Sequence, residues 1–163
     1  MPEARAIEVG VTDWVSDSAA MEAVRRAVFI AEQGIAEADE WDEADSAATH
    51  VLARLNRDPV GTGRLEATGK IGRLAVLKAA RGFGIGGSML TRLIEIAHRR
   101  GLGEVYLNAQ VTALDFYGAR GFVAVGPEFD EAGIRHRRMR LAFSAEQRPG
   151  SPPHGSTHGA GIR

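Results

Sequence analysis

The stretch Arg73–Gly87, which reads RLAVLKAARGFGIGG, decides the fold that we predict. Its apolar first part indicates a strand, and the glycines that follow indicate a turn leading into a helix. Glycines at such a turn allow several backbone N–H groups to point toward one anion, and the helix N-terminus adds a partial positive charge. Arg81 adds a cation at the entrance of the turn. We therefore predict a phosphate-binding turn at residues 82–87.

Length and composition indicate an ordinary globular protein. The chain has 163 residues, of which 44% are hydrophobic and 25% charged, so one hydrophobic core suffices. Prolines, glycines and histidines accumulate toward the C-terminus, so we expect one folded domain at residues 1–143 and a disordered tail at residues 144–163. His154 and His158 lie four residues apart in that tail. The prolines and glycines around them oppose a helix, and we expect no metal site.

Charge and cysteine content narrow the classes of function. A formal net charge of −1 disfavours nucleic acid as a partner. No apolar run approaches the ~18 residues of a membrane span, and the N-terminus lacks a signal-peptide pattern, so we expect a cytoplasmic protein with no membrane partner. The absence of cysteine excludes disulfides, thiolate metal ligands and a cysteine nucleophile.

Hydrophobic periodicity predicts the order strand, helix, three strands, helix, strand, helix, two strands. The predicted elements are a strand at 7–11, a helix capped by Asp17 and Ser18 and ended by Gly34, an acidic loop at 39–45, a hairpin that turns at 57–59, a strand at 71–77, a helix at 86–101, a strand at 104–109, a short helix capped by Thr112, and strands at 122–125 and 137–143. We therefore expect an α/β fold with a mixed, partly parallel sheet of six or seven strands flanked by helices.

The pattern Gly82-x-Gly84-x-x-Gly87 also satisfies a dinucleotide-binding fingerprint, so a nicotinamide-dependent oxidoreductase has to be considered. That fold places its glycine turn after the first strand and ends its second strand with an acidic residue. Here three strands precede the turn, and the next strand ends in Asn108-Ala109-Gln110. A nicotinamide-dependent oxidoreductase is therefore the less favoured function for this sequence.

The motif Arg81-x-x-Gly84-x-Gly86 after a strand resembles the acyl-CoA pyrophosphate signature of the GNAT superfamily of N-acetyltransferases. Other segments are similar to its ElaA-like branch. They are Arg25-x-x-Val28-Phe29-x-x-Glu32-Gln33, Glu40-x-Asp42-x-x-Asp45, Asn108-Ala109-Gln110, Phe116-Tyr117-x-x-x-Gly121-Phe122 and Phe129-x-Glu131-x-Gly133-Ile134-x-His136-x-x-Met139. The resemblance covers roughly residues 5–143.

This resemblance implies acetyl-CoA as the cosubstrate and a gap between two splayed central strands that receives it. The pantetheine arm would pair with the strand at 74–77, and the pyrophosphate would lie on the glycine turn. A backbone N–H near Val76 would stabilise the developing oxyanion. The implied cofactor-binding residues are Leu74, Ala75, Val76, Arg81, Gly82, Phe83, Gly84, Ile85, Gly86, Gly87, Asn108 and Tyr117.

The chemistry of the residues suggests two catalytic groups. A phenol is protonated at neutral pH, so Tyr117 can donate a proton to the departing thiolate; alternatively it is a packing residue of its helix. His136 is our preferred base or substrate ligand among Glu40, Asp42, His50 and His136, because its ordinary pKa is the most suitable. Single histidines are also often structural.

The acceptor pocket is predicted near the end of the first helix and at the acidic loop. The predicted acceptor-binding residues are Arg25, Glu32, Gln33, Glu40, Asp42 and His136, although a solvated helix face and a solvated loop are the alternative interpretation. We expect an acetyl-CoA-dependent N-acetyltransferase that acetylates a primary amine of a small molecule or peptide directly. The alternative is a catalytically inactive CoA-binding sensor or interaction module. The sequence does not decide whether the chain forms a homodimer.

Overall fold

The computed structural model describes residues 6–144, and the first five residues and residues 145–163 lie outside this range. All of the predicted tail except Ser144 is therefore outside the described residues. The described residues divide into two compact units, residues 6–93 and 94–144, and the boundary between them falls within one long helix.

The first unit contains four strands and most of the helices. Its elements are β1 (Ile7–Thr12), α1 (Trp14–Arg25), a π-helical segment (Arg26–Glu32), α2 (Glu37–Glu40), α3 (Ala44–Ala47), β2 (Thr49–Leu55), β3 (Asp58–Leu65), β4 (Ile71–Val76), a 3₁₀ turn (Lys78–Ala80) and the beginning of α4 (Ile85–Arg99). The second unit continues with β5 (Glu104–Gln110), a 3₁₀ turn (Val111–Ala113), α5 (Leu114–Gly118), β6 (Val123–Glu131) and β7 (Ile134–Ala142).

The seven strands form two sheets. The first has the order β1-β2-β3-β4 and the second the order β5-β7-β6. We expected a mixed, partly parallel sheet, but every strand pair within the two sheets of residues 6–144 is antiparallel. The long helix connects β4 to β5, and these two strands belong to different sheets.

The first helix begins earlier than predicted. Asp13 is its N-cap, and its carboxylate accepts a hydrogen bond from the Ser16 N–H at 2.8 Å. Asp17 has a non-helical backbone instead, and its side chain accepts a hydrogen bond from the Thr12 hydroxyl at 2.6 Å. The prediction that Asp17 and Ser18 cap the helix is wrong, because the carboxylate that directly follows β1 takes that role. The predicted end at Gly34 is confirmed by its φ of +72°.

The structure also differs from the predicted elements at three other places. The β2–β3 hairpin turns at Asn56 and Arg57, which both have positive φ, so the connection is a two-residue turn one position before the predicted one. The acidic loop forms the short helices α2 and α3. Thr112 lies inside a 3₁₀ turn, and Ala113 occupies the N-cap position of α5. We placed the turn at Pro59 because proline is common in turns, but Pro59 lies inside β3.

Helix α4 approaches β3 closely because β3 carries two glycines. A Cβ at Gly61 would lie 2.9 Å from Met89 Cε, and one at Gly63 would lie 3.0 Å from Leu93 Cδ1. These glycines therefore leave room for the side chains of α4 in the core of the first unit. The close packing fixes the beginning of α4 beside the sheet that includes β4. No helix within residues 6–144 is long and apolar enough to cross a membrane.

Candidate active site

Strand β4 contains a bulge before the glycine turn. Thr62 of β3 pairs with Ala75 and Arg64 pairs with Gly72, so Arg73 and Leu74 together face the single residue Gly63. Arg73 has a left-handed backbone with φ +50°, which is uncommon for a residue with a side chain. A Cβ at Gly63 would lie 2.8 Å from Leu74 Cδ1, so glycine makes room for the bulge. Bulges of this kind often reorient a strand beside a functional site.

Beyond the bulge, the N–H of Val76 points away from β3. The Leu77 N–H donates to the Val60 carbonyl of β3 at 2.8 Å, and backbone groups alternate in direction along a strand. The Val76 carbonyl accepts instead from Arg81 Nε at 3.0 Å, which confirms that Val76 presents its polar groups to the outer edge. β4 is the edge strand of its sheet. Val76 thus offers an N–H donor at an open sheet edge.

The glycine turn continues this row of donors. Ser88 N–H bonds to the Gly84 carbonyl at 3.0 Å, so the N–H groups of residues 85–87 belong to the first helical turn, where no intrahelical acceptor exists. Gly82 and Gly84 have φ values of +89° and +76°. A Cβ at either position would have no atom within 4 Å, so the turn borders open space. This geometry suits an anion bound by backbone N–H groups.

Arg81 does not point its charge freely toward that space. Its Nη1 and Nη2 atoms donate to the two carboxylate oxygens of Glu32, each at 2.6 Å, while its Nε donates to Val76. The hydrogen bond and charge of Arg81 lower the pKa of Glu32. Two residues to which we assigned different ligands, the diphosphate for Arg81 and the acceptor for Glu32, are therefore bonded to each other.

The acidic segment, defined as residues 39–45, is held by three arginines. Arg25 Nε lies 2.7 Å from Glu40 Oε2, and Arg25 Nη1 lies 2.7 Å from Asp45 Oδ1. The further ion pairs are Arg64 with Asp42 at 2.8 Å, Arg64 with Asp45 at 3.0 Å and Arg73 with Glu40 at 3.1 Å. Because each carboxylate of the network has an arginine partner, the segment carries much less net charge than its sequence suggests.

Burial within this network argues for a structural role. The side chain of Arg25 is 1% exposed and that of Glu40 is 2% exposed, so neither offers a surface to an acceptor in this conformation. Burial raises the pKa of Glu40 in spite of the nearby Arg73 and Arg25. Burial acts in the same direction on Asp42, but the hydrogen bonds and charge of Arg64 outweigh it and lower the pKa of Asp42. The acceptor-binding roles of these residues stay predictions.

A cavity of about 620 Å³ borders the network. Both tryptophans of the chain line it, and the Arg25 guanidinium lies over Trp14 at 5.4 Å and over Trp41 at 5.0 Å. The aromatic rings therefore already contact a cation of the protein itself. His50 completes this layer, because its Nε2–H donates to the Asp45 carbonyl at 2.9 Å and its ring lies 5.4 Å from Trp14. Burial lowers the pKa of His50.

In the second unit, Tyr117 lies on α5 among aromatic rings. Its ring is 5.1 Å from that of Phe116 and 5.8 Å from that of Phe122. Burial raises the pKa of Tyr117 to about 12, so the phenol stays protonated over the neutral range. A protonated phenol is the form that a proton donor requires. The same ring contacts also suit a residue that only packs against its neighbours, so the catalytic role stays a prediction.

His136 and Asn108 share one face of the second sheet. Gln110 of β5 pairs directly with His136 of β7, and Asn108 lies two residues before Gln110. The His136 Nδ1–H donates to the Ile134 carbonyl at 2.7 Å, which leaves Nε2 as the acceptor of the neutral ring, 3.7 Å from Glu131 Oε2. The Asn108 Oδ1 is buried, and no donor within residues 6–144 bonds to it. An unsatisfied buried acceptor is a place for a ligand donor.

The comparisons with known proteins agree with this geometry. The model of the acetyltransferase (GNAT) domain matches residues 15–143. The chain belongs to the GNAT family of acetyltransferases. It is 40% identical to YyaT of Bacillus subtilis over 127 residues, which cover 74% of this chain and 86% of YyaT. ElaA of Escherichia coli is 31% identical over 133 residues, which cover 77% of this chain and 87% of ElaA.

Solved structures of relatives confirm the fold. An acyl-CoA N-acyltransferase from Pseudomonas aeruginosa superimposes with a TM-score of 0.75 at 30% identity, covering 84% of this chain and all of that one. The ElaA structure from E. coli gives a TM-score of 0.74 at 28% identity, covering 83% and 99%. The predicted GNAT-like fold and the ElaA-like branch are therefore confirmed. The family uses acyl-CoA donors, and two features of the first unit suit one: the edge donor of Val76 and the open glycine turn.

The sequence analysis did not identify Arg64 and Arg73, which belong to the arginine network, or Trp14, whose ring contacts Arg25. A charged residue within an otherwise apolar strand was the available signal for Arg64, since β3 ends VGTGRL. Arg73 gave no such signal, because its left-handed backbone depends on the bulge. The link between Glu32 and Arg81 was also missed, since 49 residues separate them.

Proposed function

We propose that this chain is an acetyl-CoA-dependent N-acetyltransferase that transfers the acetyl group directly to a primary amine of a small molecule or peptide. The observation that carries the proposal is the row of backbone donors that runs from the Val76 N–H at the edge of β4 to the amides of the first turn of α4. Charge-assisted hydrogen bonds to such donors contribute about 1.5–3 kcal/mol each. Several of them suffice to hold a diphosphate.

Each group has a defined task in the transfer. Acetyl-CoA supplies a thioester whose carbonyl carbon is attacked by the amine. The amides of residues 82–87 bind the diphosphate, and the Val76 N–H donates to the thioester oxygen as negative charge develops on it. His136 accepts the proton of the amine at Nε2, and Glu131 stabilises the resulting imidazolium. Tyr117 donates its proton to the sulfur as the C–S bond breaks and the C–N bond forms.

An acceptor screen with mass detection tests the reaction. Wild-type protein incubated with acetyl-CoA and a panel of amines is expected to release free CoA and to produce one or more acetylated amines in equal amount. Calorimetry with CoA comes first, because binding without transfer would leave the inactive CoA-binding module as the function. Stabilisation by NAD or NADP but not by CoA would instead favour an oxidoreductase.

Tyrosine variants test the proton donor. Tyr117→Phe removes the phenol proton and is expected to lower kcat by about 10²-fold, within the range of general-acid contributions. Tyr106→Phe is the matched control, because Tyr106 is the other tyrosine of the chain and lies on β5. It is expected to retain kcat within about twofold. Full kcat in Tyr117→Phe would leave Tyr117 as a packing residue.

A further inference from the structure

The guanidinium of Arg81 joins two segments of the first unit. On one side it forms a bidentate ion pair with Glu32, the last residue of the π-helical segment, and both N···O distances are 2.6 Å. On the other side its Nε donates to the Val76 carbonyl at 3.0 Å. Each of the three guanidinium nitrogens therefore donates one hydrogen bond, in directions that the planar group fixes.

These contacts hold one peptide group from both sides. The Val76 carbonyl and the Leu77 N–H belong to the same peptide plane. The carbonyl accepts from Arg81 on the outer edge of β4, and the N–H donates to Val60 of β3 at 2.8 Å on the inner edge. A peptide plane bonded at both ends cannot rotate without breaking one of the bonds. The Val76 N–H belongs to the preceding peptide, which shares the Val76 Cα with this one. Holding the Val76–Leu77 peptide therefore restricts the backbone rotation at Val76 and, through it, the direction of the Val76 N–H relative to the end of β4.

We propose that Glu32 and Arg81 are positioning residues that clamp the Val76–Leu77 peptide and thereby aim the Val76 N–H at the thioester oxygen. This inference rests on the proposed function, because that function assigns the N–H its task. It replaces the separate roles predicted from the sequence, in which Arg81 binds the diphosphate and Glu32 the acceptor. Glu32 acts through Arg81, and Arg81 acts through the peptide.

The geometry distinguishes this clamp from an ordinary surface ion pair. The side chains of Arg81 and Glu32 are 41% and 35% exposed, so the pair adds little to global stability. Its effect is local, because the third guanidinium bond ends on the strand that supplies the donor. A lysine at position 81 keeps the charge but cannot bond Glu32 twice and Val76 at the same time. The charge and the clamp can therefore be separated by substitution.

The first experiment needs no ligand. Amide hydrogen exchange of the free protein is measured by NMR for wild type, Glu32→Ala and Arg81→Lys. Both variants are expected to exchange the Leu77 amide at least about fivefold faster and to shift the Val76 amide resonance. Glu37→Ala is the matched control, because Glu37 forms an exposed ion pair with Arg26 at the beginning of the same π-helical segment. Wild-type exchange of Leu77 in both test variants would overturn the clamp.

The second experiment separates positioning from phosphate binding. CoA affinity is measured by calorimetry, and kcat with an acceptor from the screen. The clamp predicts that Glu32→Ala, Arg81→Lys and the double variant each lose kcat by about tenfold with the CoA Kd within about twofold of wild type. The double variant is expected to be no worse than either single one, because both residues act as one unit. An Arg81→Lys variant whose CoA Kd rises more than about tenfold, with Glu32→Ala unaffected, would make Arg81 a phosphate ligand and overturn the proposal.

Failure of the proposed function gives a different result. If the wild-type protein binds no CoA in the calorimeter, the proposed function is refuted before any variant is compared. The proposed role of the Val76 N–H toward a thioester is then refuted as well. The Leu77 exchange rates then still decide whether Glu32 and Arg81 hold the peptide. Wild-type protein that binds CoA and transfers acetyl groups, with unchanged kcat in both variants, refutes the positioning role alone.

Discussion

The acidic segment at residues 39–45 and the glycine turn at residues 82–87 are both conspicuous in the sequence, yet the structure treats them in opposite ways. Three carboxylates of the acidic segment, those of Glu40, Asp42 and Asp45, are bonded to arginines, and those of Glu40 and Asp45 are buried. The glycine turn presents backbone donors and borders open space at Gly82 and Gly84. The more highly charged segment is thus the less available one.

The difference shows that charge in a sequence does not by itself indicate a binding site. A carboxylate that has an arginine partner has already exchanged its hydration for a protein contact, whereas backbone donors without an internal acceptor still need one. The two segments can therefore be separated by experiment, since changes in the first should alter stability and changes in the second should alter ligand binding.

The largest expected effect concerns the centre of the arginine network. Arg25→Ala leaves the buried Glu40 with Arg73 alone and the buried Asp45 with Arg64 alone, so the free energy of unfolding should fall by about 3 kcal/mol, the lower end of the cost of breaking a buried ion pair. Arg26→Ala is the control, because Arg26, the next residue in the sequence, is exposed and pairs only with Glu37 among the ion pairs of residues 6–144. This variant should change stability by about 1 kcal/mol or less. Urea unfolding monitored by tryptophan fluorescence measures both. Equal losses in the two variants would contradict the network's structural role.

A smaller effect is expected at the glycine turn. Gly84→Ala places a side chain on a backbone with φ +76°, which costs about 1–2 kcal/mol, and its methyl group enters the space assigned to the diphosphate. Stability should fall by that amount, and CoA affinity should fall by about tenfold or more. Gly118→Ala is the control, since a Cβ there also meets no atom within 4 Å but Gly118 lies in α5. Thermal unfolding and calorimetry provide the two values, and unchanged CoA binding in Gly84→Ala would remove the turn from the site.

Acid should weaken the network at His50. Because burial lowers the pKa of His50 in the folded state, the unfolded chain takes up a proton near pH 6.5 that the folded chain does not. The associated stability is complete above about pH 6.5 and is lost progressively as the pH falls below it. His50→Gln should show a shallower loss between pH 6.5 and 5 in thermal unfolding. A wild-type slope in His50→Gln would refute this cause.

The smallest effect is expected at the rim of the cavity beside the acidic segment. Glu22 and Glu43 are exposed residues of its lining, and neither takes part in the arginine network described above. Glu22→Gln and Glu43→Gln should therefore change stability by less than about 0.5 kcal/mol and the acceptor KM by less than about twofold. A KM that rises about tenfold for a cationic acceptor in either variant would show that the acceptor binds in this cavity.

The sequence predicted most of the fold because its signals were local. The apolar run before the glycine turn and the helical spacing after it are short-range patterns, and the structure confirms β4 and α4 there. The same holds for Gly34, which ends the first helical region. Helix starts were less predictable, since Asp13 and Asp17 are both good caps and only the end of β1 selects between them.

The site was less predictable because its key contacts join distant residues. Glu32 and Arg81 were each recognised, but nothing in either neighbourhood indicates that they bond to each other. The roles of Arg25 and Glu40 likewise depended on their burial, which a sequence pattern around either residue does not reveal. Residue types were therefore predicted well and their partners poorly.

The extra residue in β4 acts like a frameshift for the backbone that follows it. If the pairing of Arg64 with Gly72 continued without a bulge, Val76 would lie opposite Val60. The Val76 N–H would then donate to the Val60 carbonyl, as the Leu77 N–H does now, and would not be available at the outer edge. Removing one residue at Arg73 would thus exchange the inward and outward positions of every later residue of the strand. A single insertion decides which amide of β4 faces the outside.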